Sequence, residues 1–115
     1  MATIAEDERL DALFAALGDR TRRDIVARLS AGEATVKELA EPYAMTVQAV
    51  SQHIRVLERA GLVSQGRHRQ TRPCRLEPAA LESAVSWLEE SRRTWSDRMD
   101  RLEAHLAGLQ TPEQP

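Results

Sequence analysis

The chain is expected to be mainly α with a small β-hairpin (α+β), and three observations predict this. Apolar residues recur at helical spacing in several separate stretches; two short runs flank Gly66-Arg67-His68-Arg69-Gln70 as the arms of a hairpin; and an apolar seam persists for about four heptads near the C-terminus. At 115 residues the chain is expected to be one domain over residues 1–109 with a small core, followed by a disordered tail at 110–115. Part of the apolar surface of so small a domain is expected to be buried against another subunit.

The first helix is expected from Ala5 to Leu17, with Leu10, Leu13, Phe14 and Leu17 on one side and Gly18 as its stop. Asp19 or Thr21 then caps a second helix to about Ser30, with Ile25, Val26 and Leu29 inward and Arg20, Arg22, Arg23 and Arg28 largely outward, where they could touch a DNA backbone but solvated charges are the commoner explanation. Thr35-Val36-Lys37-Glu38 has the form of a capping box, so a short third helix is expected from Val36 to Pro42 or Tyr43, with Val36, Leu39 and Ala40 inward.

The stretch Thr46 to Val63 carries the chemistry. Thr46 is a good N-cap, Gly61 a left-handed stop, and Val50, Ile54 and Leu57 form a narrow buried stripe. The opposite face presents Gln48, Ser51, Gln52, Arg55 and Arg59. Amides and hydroxyls read base edges in a DNA major groove, and arginines hold phosphates or guanine. Strands are expected over Leu62–Gln65 and Thr71–Leu76, with a basic tip between them. A short helix, a turn of Tyr43, Ala44 and Met45, and a second helix with a polar outer face make a helix-turn-helix, with 46–61 as recognition helix and the hairpin at 62–76 as wing. From Thr46 to Leu76 six arginines face one acid, Glu58, while the formal net charge of the whole chain is −2. The basic charge is therefore concentrated in one third of an otherwise acidic chain, as a polyanion partner requires.

Pro78 is a favoured first helical residue, and the last helix is expected to run to Leu106 or Gly108. Its apolar positions are Leu81, Val85, Leu88, Trp95, Met99, Leu102, Leu106 and Leu109, with Arg92 interrupting. A helix of about 30 residues spans roughly 45 Å, more than so small a domain covers, so the seam calls for a partner helix.

Other classes are argued against by what the residues lack. Nothing resembles a signal peptide, no apolar run approaches the roughly 20 residues of a membrane span, and the single Cys74 excludes an internal disulfide and fits a reducing cytoplasm. No histidine stands near a credible nucleophile, there is no Gly-rich phosphate loop, and Glu89-Glu90 reads as a solvated face, so no catalytic residue, enzyme activity or cofactor is expected. His53 is expected toward the buried side of its helix and His68 in the wing tip as a solvent or phosphate contact. Arg72 and Arg75 flank Cys74, and an arginine pair can lower a thiol pKa and make it redox-reactive.

LFAALGDRTRRDIVARL (13–29), KELAE (37–41) and VSQHIRVLERAGLV (50–63) resemble the ArsR/SmtB (arsenic-repressor) family of winged helix-turn-helix transcriptional regulators, collinearly from Leu10 to Leu76. The resemblance implies a homodimer joined by its first and last helices, so that Leu10, Phe14, Leu81, Val85, Leu88, Trp95, Met99 and Leu102 are candidate interface residues. It also implies recognition helices in successive major grooves, with Gln48, Ser51, Gln52 and Arg55 reading bases and Arg67, His68 and Arg69 at the wing tip. The chain departs from the family's metal sensors: Thr35 and Lys37 stand where those carry Cys-x-Cys, and the last helix offers only His105 with Asp100 and Glu103, so no metal is expected. The reading is a cytoplasmic, homodimeric repressor of double-stranded DNA at an imperfect palindrome. Two alternatives stay open: a sensor in which an unknown small-molecule effector or Cys74 chemistry releases DNA, and a protein-interaction module using the long last helix.

Overall fold

A computed structural model of the chain describes residues 3–66 and 72–110. In order, the elements are α1 (Ile4–Ala16), α2 (Arg20–Ala31), α3 (Val36–Ala40), α4 (Val47–Arg59), β1 (Val63–Gln65), β2 (Cys74–Leu76) and α5 (Pro78–Gln110). The chain divides between Ala84 and Val85 into two compact units.

Each of the first four helices begins on a side-chain cap. Thr3 and Glu6 form a reciprocal capping box, 3.1 Å in both directions, which starts α1 a residue earlier than its apolar pattern suggests. Asp19, not Thr21, caps α2 by accepting from the Arg22 N–H at 3.1 Å. Thr35 and Glu38 form the expected box at α3, and the Thr46 hydroxyl accepts from the Ala49 N–H at 3.1 Å to start α4.

The helix ends differ more from expectation. α1 stops at Ala16 with Leu17 still in right-handed geometry, and Gly18 is not left-handed, so it is not the stop the sequence suggested. α3 ends at Ala40, with residues 41–45 forming the turn, because Pro42 removes a backbone donor just where another turn of helix would need it. At α4 the expectation holds. Gly61 sits at φ +79°, its N–H bonding Glu58 O and the Leu62 N–H bonding Leu57 O, both at 2.9 Å, which is the complete Schellman pattern.

β1 and β2 are antiparallel, pairing Val63 with Leu76, Ser64 with Arg75 and Gln65 with Cys74. Each strand is shorter than expected, although Gly66 N–H to Pro73 O and Glu77 N–H to Leu62 O, both 2.8 Å, extend the pairing at the two ends. On its other side Cys74 exchanges backbone bonds with Ala34, at 2.8 and 3.2 Å, so β2 is held between β1 and the α2–α3 loop. The core of this unit is Ile25, Leu39, Val50, Ile54, Leu57, Leu62 and Cys74, all fully buried, with Leu13, Leu29 and Val63 around them.

The distal unit, as far as it is described, is the rest of α5. The helix continues to Gln110, past the expected end at Gly108, and residues 111–115 of the expected tail lie outside the described residues. Within it Arg92 Nη2 meets Glu89 Oε2 at 2.7 Å, an exposed pair one turn apart.

Candidate nucleic-acid interface

The buried stripe of α4 decides which side chains face out. With Val50, Ile54 and Leu57 at zero exposure, Gln48, Gln52, Arg55 and Arg59 are exposed and Ser51 and Glu58 are half-buried at the edge of the same face. The predicted base-reading set is thus brought together on one helix. Arg67, His68 and Arg69 of the wing tip lie outside the described residues.

Between α4 and the root of the wing is a cleft of about 600 Å³ lined by Ser51, Arg55, Glu58, Gln65, Gly66, Arg72 and Val36. Gln65 Nε2 donates to Glu58 Oε1 across it at 2.6 Å, tying the last turn of α4 to β1. Arg72 is exposed and sits at φ +32°, a left-handed conformation that costs a side-chain-bearing residue free energy. Sequence reasoning left Arg72, Glu58 and Gln65 out of the site. Arg72 is one of the six arginines between Thr46 and Leu76, but only the fold brings it into a cleft with the α4 residues Ser51, Arg55 and Glu58. At the far end of the hairpin the Ser64 hydroxyl donates to Glu77, and this bond, with Arg75 Nε at 3.5 Å, holds the Glu77 carboxyl below its ordinary pKa.

Three of the α2 arginines, Arg22, Arg23 and Arg28, are not the solvated charges the sequence suggested, whereas Arg20 is exposed. Arg22 turns back to the end of α1, donating from Nε to Ala16 O at 2.6 Å and from Nη2 to Ala15 O at 3.2 Å, while Arg23 donates to Leu17 O at 2.9 Å. Arg28 donates to Leu39 O at 2.8 Å and Glu38 O at 3.0 Å, at the end of α3. Helix C-termini expose carbonyls that lack intrahelical donors and carry partial negative charge, so guanidinium groups from a neighbouring helix both satisfy them and fix the helices in place. The α1 helix has no basic residue in its own last turn.

His53, expected toward the core, is half-buried at the same junction, its Nδ1 3.8 Å from Asp19 Oδ2 and 3.5 Å from Arg22 Nη1. The Asp19 carboxyl is held below its ordinary pKa, first by the Arg22 backbone N–H it caps, then by the charges of His53 and Arg22. This junction joins α1 and α2 to the inner side of α4 and so supports the exposed face.

Cys74 runs opposite to the reactive reading. It is fully buried, and burial, reinforced by the nearby Glu58 charge, pushes its thiol up to about 11. The flanking arginines do not reverse this, because Arg72 and Arg75 are both exposed while the thiol is not. Among the described residues no group of three or more His, Cys, Asp or Glu is placed to hold a metal ion, and no helix is long and apolar enough to cross a membrane.

Of the candidate interface residues, Leu10, Phe14, Leu81 and Met99 are half-buried, Phe14 and Leu81 against the core. Val85, Leu88, Trp95 and Leu102 are exposed, Trp95 at 63%.

A family model described as a helix-turn-helix domain matches residues 17–65, from the end of α1 to the end of β1. The chain is 42% identical over 86 residues to the HTH-type transcriptional regulator Rv2034 of Mycobacterium tuberculosis, covering 75% of this chain and 78% of that protein. It is 29% identical over 76 residues to the transcriptional repressor SdpR of Bacillus subtilis, covering 66% of this chain and 84% of that one. Among solved structures, the ArsR family transcriptional regulator RHA00566 superposes with a TM-score of 0.75 at 36% identity, covering 84% of this chain and 97% of that one. The chain belongs to the ArsR family. This ArsR-family chain is a DNA-binding transcriptional regulator with the winged helix-turn-helix fold, and its relatives are regulators rather than enzymes. The family match ends at Gln65, at the strand whose side chain Glu58 holds.

Proposed function

We propose that the protein is a homodimeric repressor that binds an imperfect DNA palindrome, with residues 1–109 as one winged helix-turn-helix domain, 46–61 its recognition helix, 62–76 its wing and 78–108 its dimerisation helix. The observation that carries this reading is the sorting of α4: Val50, Ile54 and Leu57 are fully buried, and the opposite face presents the amides of Gln48 and Gln52 and the guanidinium groups of Arg55 and Arg59, with Ser51 and Glu58 at its edge and Val47 exposed at the helix start. Gln48, Ser51, Gln52 and Arg55 select sequence, and Arg59, Arg67, His68 and Arg69 contact phosphates. The dimer seam comprises Leu10, Phe14, Leu81, Val85, Leu88, Trp95, Met99 and Leu102; the exposure of Val85, Leu88, Trp95 and Leu102 supports it, since water-facing apolar residues at heptad spacing are stabilised by a partner helix. Repression is carried from the relative named as a repressor, and the cytoplasm is where the DNA lies.

Selection of bound duplexes from a random pool tests the reading. The expected result is a palindrome with half-site centres about 10 to 11 base pairs, or a multiple, apart. On the recovered site Gln52→Ala is expected to cost about 1 to 3 kcal/mol and little on random DNA. An equal loss on both would move Gln52 from selecting sequence to positioning. A monomer in sedimentation that still binds the palindrome would remove the dimer seam.

A further inference from the structure

Glu58 is the one acid between Thr46 and Leu76, a stretch with six arginines, and it lies on the edge of the face turned to DNA. A carboxylate near phosphates is electrostatically unfavourable there, so its presence calls for a compensating role. The structure supplies one. Glu58 Oε1 receives Gln65 Nε2 at 2.6 Å, and the two lie in the cleft whose other polar walls are Ser51, Arg55 and Arg72. Gln65 is the last residue of β1, immediately before the wing tip, and pairs with Cys74 across the hairpin. β1 is only three residues long and follows α4 through the Gly61 turn. Backbone bonds between Cys74 and Ala34 hold β2 to the α2–α3 loop, and the Glu58–Gln65 bond ties β1 to α4.

We propose that Glu58 is a positioning residue for DNA binding: through Gln65 it sets the angle of the wing root to the recognition helix and so holds Arg72 in the cleft it shares with Arg55. This rests on the α4–wing interface reading. A charge-assisted hydrogen bond is stronger and more directional than a neutral one, which is why a carboxylate occupies the position despite its charge. The acid acts through geometry and touches no DNA.

Two substitutions separate geometry from charge. Glu58→Gln and Glu58→Ala remove the same negative charge, but only glutamine keeps an oxygen that accepts from Gln65. Titrated against the selected duplex at several salt concentrations, Glu58→Ala is expected to bind about tenfold more weakly than Glu58→Gln, the loss of one such bond. Its plot of log affinity against log salt is expected to be shallower by about one unit, because Arg72 no longer seats on a phosphate. Gln65→Ala is expected to lose about tenfold in the wild-type background and nothing further on Glu58→Ala, as a coupled pair requires. Thermal unfolding of each variant identifies any that fails to fold, and Gln65→Ala carries the test if Glu58→Ala does not.

Equal affinity of the alanine and glutamine variants, or a Gln65→Ala loss that persists without Glu58, would overturn the proposal; the second outcome would make Gln65 a direct DNA contact. A wild-type chain that binds no DNA at all would sink the interface reading itself, and this inference with it.

Discussion

Replacing Arg28 with alanine is the sharpest test of how the helix-turn-helix is held. Arg28 donates from two nitrogens to the carbonyls of Leu39 and Glu38, the last turn of a helix only five residues long. Hydrogen bonds from a charged donor contribute about 1.5 to 3 kcal/mol each when shielded and less when exposed, and the Glu38 bond is exposed. A loss of about 2 kcal/mol is therefore expected for the pair. For a chain of this length it corresponds to a fall of about 8 °C in the midpoint of thermal unfolding. The assay is far-ultraviolet circular dichroism on heating, with protein concentration held constant because the midpoint of the proposed dimer would depend on it. Arg20→Ala, at an exposed position on the same helix, is the control and is expected to shift stability by less than about 0.5 kcal/mol. Arg28→Lys is expected to fall between, since an ammonium lacks the two-pronged geometry. Equal shifts for Arg28→Ala and Arg20→Ala would refute the reasoning and return Arg28 to the class of solvated charges.

Arg72→Gly relieves a left-handed backbone and removes a charge from the cleft, so the thermal midpoint is expected to hold or rise while DNA binding weakens on all sequences and the salt slope falls by about one unit; a fall in midpoint would mean the side chain is structural. Cys74 is expected to resist thiol alkylation in the folded protein up to about pH 9 and to react fully once unfolded. Its folded-state pKa is raised from 9.0 to about 11, so the protonated thiol's contribution is complete below pH 9 and stability falls as pH rises from 9 toward 11. Rapid labelling of native protein at pH 7.5 would contradict the burial.

What could be read along the chain was local. Caps at Asp19, Thr35 and Thr46 and the left-handed Gly61 each depend on bonds within a few residues, so their positions follow from side-chain chemistry without knowledge of the fold. The missed cap at Thr3 is of the same kind, and the spacing to Glu6 was its signal. The buried stripe of α4 was legible because its period defines one face whatever that face packs against. The exposed amides and arginines followed from it.

Tertiary structure alone decided the rest. Sequence placed Arg22, Arg23 and Arg28 on an outer helical face, but long side chains reach past their own helix, and the donor-poor ends of α1 and α3 were within reach only once the helices had packed. Two flanking arginines argued for a reactive Cys74, whereas strand alternation turns Arg75 outward and the thiol inward and Arg72 lies exposed before the strand, so desolvation outweighed charge. The contact of Glu58 with Gln65 spans seven residues across a helix-to-strand corner, and no periodicity of either element predicts it. The chain's own chemistry determined which elements form and which face of α4 meets water; packing decided what each long polar side chain touches, because its reach exceeds the local structure that a sequence pattern describes.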